Sequence, residues 1–274
     1  MAYTTIIDCQ TLATHLGDTQ LIIVDCRFSL DDKEKGRRDY RQSHIPGAHY
    51  AHLDDDLSGE IIPGTTGRHP LPPVEKAKDL FSSWGINEQT QVVAYDDKGG
   101  GIAARLWWML RWLGHEKVAV LNGGFPAWTN LELPTNSEIP TAHASTFEPR
   151  ERKELLINRD TVEAIREDET YWLVDSRIAP RYRGEFEPID PVAGHIPGAI
   201  NLPFPENLQA DGTLKAPAAL RERFLAAQPE GQADHTVFYC GSGVTACHNI
   251  LAYQHAGLGE AKLYPGSWSE WITK

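Results

Sequence analysis

Short apolar runs alternate with stretches in which apolar residues recur every three or four positions. Leu21-Ile22-Ile23-Val24, Gln91-Val92-Val93-Ala94-Tyr95 and Val118-Ala119-Val120-Leu121 have the length and content of buried strands. Residues 102–113 place Leu106, Trp107, Leu110 and Leu113 on one helical face, and Gly114 ends that helix. The second half repeats the scheme: strands at 172–174 and 236–239, then a helix over 244–256 stopped by Gly257. This alternation predicts an α/β chain whose sheets are mostly parallel and flanked by helices on both faces. In such sheets a ligand binds beyond the carboxyl ends of the strands, where Cys240 stands.

The two halves also match residue by residue. Val24-Asp25-Cys26-Arg27 returns as Val174-Asp175-Ser176-Arg177, and His44-Ile45-Pro46-Gly47-Ala48 returns unchanged as His195-Ile196-Pro197-Gly198-Ala199. Val93-Ala94-Tyr95-Asp96 is answered by Val237-Phe238-Tyr239-Cys240, and Leu121-Asn122-Gly123-Gly124 by Leu263-Tyr264-Pro265-Gly266. Collinear matches of this kind predict two tandem copies of one domain. The expected limits are 1–135, a linker over 136–150 rich in Pro, Thr, Ser and Glu, and 151–274.

Composition narrows the function. The chain has 274 residues, enough for about two domains. Its net charge of −12 speaks against a nucleic-acid partner, which needs clustered cations. No apolar run approaches the roughly 20 residues that span a bilayer, and no signal peptide is visible. Four cysteines without Cys-x-x-Cys spacing suggest neither a disulfide framework nor a metal site. The expected location is the cytoplasm, with no membrane partner and no metal.

The chemistry concentrates in Cys240-Gly241-Ser242-Gly243-Val244-Thr245-Ala246, between a strand and a helix. Two glycines let the backbone curl, so that its N–H groups and the helix start converge on one point. A thiol held there ionises more readily, and the reading requires it to be open to solvent. Two chemistries fit. A cysteine phosphatase needs an Arg closing the loop, and the positions from Ala246 through His248 supply none. Sulfur transfer needs only a thiolate that accepts a sulfane sulfur and passes it on. A non-catalytic binding or sensing module is a third reading, in which the intact loop would be surplus.

These residues together resemble the rhodanese superfamily, specifically its two-domain sulfurtransferases. The resemblance covers nearly the whole chain. It rests on the tandem copies, both His-Ile-Pro-Gly-Ala segments, the Val-Asp-x-Arg strand ends and the cysteine loop. It implies two rhodanese-like α/β domains, the second catalytic through a Cys240 persulfide, the first degenerate because Asp96 replaces the cysteine. No cofactor is implied. The loop is similar to that of 3-mercaptopyruvate sulfurtransferases, which carry Gly-Ser-Gly after the cysteine. It implies Ser242, His69 and Asp54 as a proton relay, Arg181 as the substrate-binding cation with Arg183 as a second candidate, and Gly241, Gly243, Val244 and Thr245 as the cradle. The family's further Arg after Glu-Pro is missing here, where Glu187-Pro188-Ile189-Asp190-Pro191 stands. The donor is therefore open between 3-mercaptopyruvate and thiosulfate. The acceptor is open between cyanide, a small thiol and a thioredoxin-like protein.

Other features call for packing roles: Trp107, Trp108 and Trp112 as helix core, Cys247 as a buried helix residue, and Gly64-Thr65-Thr66-Gly67 as a turn-rich loop.

Overall fold

A computed structural model describes residues 2–141, 144–229 and 231–274. Residues 142 and 143 of the expected linker therefore lie outside the described residues. The chain divides into two compact units. The first comprises Met1–Gly59, Pro72–Arg152 and Ala210–Thr213. The second comprises Glu60–Leu71, Lys153–Gln209 and Leu214–Lys274. The segment 60–71, which carries His69, thus belongs to the second unit, an excursion that a single cut along the chain does not capture.

The first unit is built on strands β1 (Ile6–Ile7), β2 (Leu21–Asp25), β3 (Ala48–Tyr50), β4 (Gln91–Tyr95) and β5 (Val118–Leu121). Their order is β1-β5-β4-β2-β3, all pairs parallel. The second is built on β6 (Trp172–Asp175), β7 (Ile200–Asn201), β8 (Thr236–Tyr239) and β9 (Lys262–Leu263), in the order β7-β6-β8-β9, again all parallel.

Parallel strands covered on both faces must be apolar on both, which explains the unbroken apolar runs. Val93, Tyr95, Ala119 and Leu121 enter one core with Leu12, Ile45 and Trp128. Their neighbours Val92, Ala94, Val118 and Val120 point the other way and are also buried. The helix Ala103–Trp112 is buried along its whole length, including Trp107, Trp108 and Trp112. In the second unit Leu173, Val237 and Tyr239 meet Val162, Ile165 and Trp268, while Phe238 packs edge-on against Phe224 and Tyr253.

The repeated motifs have one structural job in each unit. Arg27 binds the Asp25 carboxylate through Nε and Nη2 and donates to the Ser43 carbonyl at 2.7 Å. Arg177 does the same with Asp175 and the Gly194 carbonyl, also at 2.7 Å. His44 and His195 stack on Tyr40 and Tyr182 at 4.1 and 3.9 Å, and each ring Nδ1 bonds that tyrosine's carbonyl. Gly47 and Gly198 sit at φ +79° and +87°, where a side chain would be strained. Among the described residues no helix is long and apolar enough to cross a membrane.

Candidate active site

The loop after β8 wraps around the Cys240 sulfur, and the helix Ala246–His255 starts only once that wrap is complete. Gly243 has φ +76°, and a Cβ there would overlap the Pro265 carbonyl. The position admits glycine alone. The loop is held from behind. The Cys240 N–H donates to Ser267 Oγ at 3.1 Å, and the N–H groups of Trp268 and Ser269 bond the carbonyls of Cys240 and Gly241 at 3.0 and 2.9 Å. Ser267 itself has φ +56°, rare for a residue with a side chain. Its hydroxyl, fixed to the Tyr264 carbonyl at 2.9 Å, supports the Cys240 N–H. Sequence reasoning passes over Ser267, because a serine after Gly266 carries no local sign of left-handed backbone.

Burial pushes the Cys240 thiol up, but the Thr245 hydroxyl and the N–H groups of Ser242 and Ala246 stabilise the thiolate. The net direction is below the ordinary thiol value. Val244 is buried within the same turn, its carbonyl accepting from the Cys247 N–H. Cys247 is fully buried, with its sulfur against the Gly243 carbonyl at 3.4 Å.

Replacing Thr245 by Val removes one donor to the anion and should move the pH midpoint of Cys240 alkylation upward. At pH 7 the iodoacetamide rate should fall about tenfold, the worth of one hydrogen bond to a charged partner. An unmoved midpoint would remove Thr245 from the cradle.

The first unit shows what such a loop accepts. Asp96, at the position matching Cys240, is fully buried. Its carboxylate takes N–H bonds from Lys98, Gly100, Ile102 and Ala103 at 2.7–2.9 Å. The Gly99-Gly100-Gly101 stretch is thus the same cradle, permanently filled by a built-in anion. A carboxylate in that place cannot accept a sulfur.

Within the second unit, His69 Nδ1 lies 2.7 Å from Ser242 Oγ, and both residues are buried. Gly67 makes this placement feasible, since a Cβ there would crowd Gly266 and Ser269, and the Arg68 N–H bonds Ser269 Oγ at 3.0 Å. The turn-rich loop thereby delivers Arg68 and His69 to the cysteine loop. Asp54 belongs to the first unit and pairs with Lys33 at 2.7 Å.

Arg181 is brought to the loop. Its terminal nitrogens lie 3.5 and 3.6 Å from where a Gly241 Cβ would be, and it is clamped by Glu187 at 2.7 and 3.0 Å. Arg183 is not placed with it. It stands 51% exposed in an ion pair with Glu185. Two residues along a helical turn is about 200° of rotation, so the two arginines point apart. One further expectation needs correcting: Cys240 is only 2% exposed, not open at the surface. The Thr245 hydroxyl and the N–H groups of Ser242 and Ala246 that stabilise the thiolate meet the sulfur inside the protein. Sequence reasoning also missed Arg68, whose terminal nitrogen stands 2.9 Å from the Gly241 Cβ position and whose pKa is lowered by burial while the Cys240 charge supports it. Its one local sign was a cation next to His69.

The chain matches the Rhodanese-like domain family over residues 8–131 and 158–274. It is 46% identical to a probable 3-mercaptopyruvate sulfurtransferase of Pseudomonas aeruginosa, covering 100% of this chain and 96% of that one. It is 33% identical to the thiosulfate sulfurtransferase of Rattus norvegicus, covering 93% and 86%. The solved 3-mercaptopyruvate sulfurtransferase of Leishmania major superposes with a TM-score of 0.86 at 34% identity, over 98% of this chain and 74% of that one. The chain belongs to the family of rhodanese-like domain proteins, with one such domain in each half.

Proposed function

We propose that this protein is a sulfurtransferase that carries a sulfane sulfur from 3-mercaptopyruvate or thiosulfate to a thiophilic acceptor on Cys240. The observation that carries this reading is the place of Cys240 between β8 and the helix Ala246–His255, in a loop held by Ser267, Trp268 and Ser269, with the Thr245 hydroxyl and the N–H groups of Ser242 and Ala246 turned to its sulfur. Relatives named for both donors support it.

The Cys240 thiolate attacks the donor sulfur. With 3-mercaptopyruvate a sulfur–sulfur bond forms and the carbon–sulfur bond breaks, its electron pair leaving as the enolate of pyruvate. The donor's thiol proton ends on that carbon, and the product is a Cys240 persulfide anion. With thiosulfate the sulfur–sulfur bond of the donor breaks and sulfite leaves with the pair. The acceptor then attacks the outer sulfur and the Cys240 thiolate departs, so no electrons are gained or lost. The loop donors hold negative charge on the inner sulfur before and after transfer.

In this reading Ser242 and His69 move the proton that the enolate receives, with Asp54 as the expected third member. Arg181 orients the donor anion, and Gly241, Gly243, Val244 and Thr245 shape the cradle. The catalytic domain spans 151–274 and the degenerate one 1–135. Cyanide, a small thiol or a thioredoxin-like protein can serve as acceptor. A reducing cytoplasm fits a chain of this length with four cysteines and no Cys-x-x-Cys spacing.

The test is mass spectrometry of the donor-treated protein. The Cys240 peptide should gain about 32 Da, one sulfur, and lose it on adding cyanide. Turnover with Cys240 never modified would sink the scheme.

A further inference from the structure

Two guanidinium groups stand beside Gly241, and they are not equivalent. Arg181 is occupied: Glu187 binds it through both carboxylate oxygens, and Asp190 accepts from it at 3.1 Å. Among the described residues Arg68 forms its ion pair at one corner, where Nη1 meets Asp190. Asp190 thus bridges the two arginines, one oxygen to each. The Arg68 Nε is buried without a hydrogen-bond partner, an arrangement that calls for an explanation. Its Nη2 is the terminal nitrogen that lies against Gly241. The Nε–Nη2 edge is therefore a two-pronged donor next to the nucleophile's loop, matched in shape to a planar carboxylate.

We propose that Arg68 is a second substrate-positioning cation, binding the carboxylate of the sulfur donor through this edge while Asp190 holds it in place. The inference rests on the sulfurtransferase reading for its substrate, but its geometry does not. Because residue 241 is glycine, no side chain stands between the cysteine loop and the two guanidinium groups. Arg181, already neutralised by Glu187, contributes orientation more than charge.

A pair of alkylating agents separates the two questions. Iodoacetate carries a carboxylate; iodoacetamide is its neutral counterpart. At a pH where each variant's thiol is fully ionised, Arg68→Gln should slow Cys240 alkylation by iodoacetate about tenfold and leave iodoacetamide within twofold. With 3-mercaptopyruvate, Arg68→Gln should raise KM about tenfold or more with kcat within threefold. Arg68→Lys should recover little, since an ammonium is a point charge and not a fork. Asp190→Asn keeps the arginine but frees it, and should show the same selectivity in weaker form. That variant decides the matter if Arg68→Gln does not fold. An unchanged iodoacetate-to-iodoacetamide ratio, or equal slowing of both reagents, overturns the role of Arg68. Wild-type protein that prefers iodoacetate yet forms no persulfide would instead overturn the sulfurtransferase reading and leave the anion site standing.

Discussion

Cys240→Ser should abolish sulfur transfer, by more than about ten-thousandfold, the scale on which covalent nucleophiles fail when removed. Serine preserves the loop's shape and the hydrogen bond from the Cys240 N–H to Ser267. It cannot be ionised by the same donors, because a hydroxyl is far less acidic than a thiol. An oxygen–sulfur linkage would also not pass its sulfur to an acceptor as a persulfide does. The variant should melt close to the wild-type temperature, show no mass gain with either donor, and still bind pyruvate. Retained transfer, measured as thiocyanate from thiosulfate and cyanide, would reassign the nucleophile.

Asp175→Ala should destabilise the second unit by about 3–5 kcal/mol in chemical denaturation. Asp175 is fully buried, and Arg177 reaches it through Nε, Nη2 and its own backbone N–H. Removing the carboxylate strands a buried guanidinium that retains Glu187, the Gly194 carbonyl and the face of the Trp268 ring. The damage should spread to the site, because Glu187 also clamps Arg181 and would be drawn toward the unpaired Arg177. Adding Arg177→Met should recover much of the stability, since a buried pair costs more to break than to replace by apolar groups. Asp25→Ala tests the same module in the first unit, where Arg27 has the matching bonds. A loss below about 1 kcal/mol at either position would mean that water reaches the pair.

Local signals carried most of the fold. β4 and β5 match the expected runs residue for residue, and the helix expected over 102–113 forms as Ala103–Trp112. Burial on two faces demands continuous apolar residues, and that demand is legible along the chain. The helix expected from 244 begins at Ala246, because the residues before it belong to the loop that turns the Ser242 N–H and the Thr245 hydroxyl, with the Ala246 N–H, toward the Cys240 sulfur. β1, β7 and β9 are two residues long and were not foreseen. Strands so short have no period of their own and exist only because a neighbour pairs with them.

Chain order alone determined the doubled architecture and pointed to the Cys240 loop and to Asp96 at the matching position, since each is written in contiguous residues whose spacing the covalent backbone enforces. The joining of Arg68, His69, Arg181, Asp190 and Ser267 around one loop came from folding. These residues are separated by up to about two hundred positions, and charges on surface loops obey no periodicity that would announce which of them will meet. Their partnership depends on where the loops end up in space, and on Gly67 being small enough to let one of them approach.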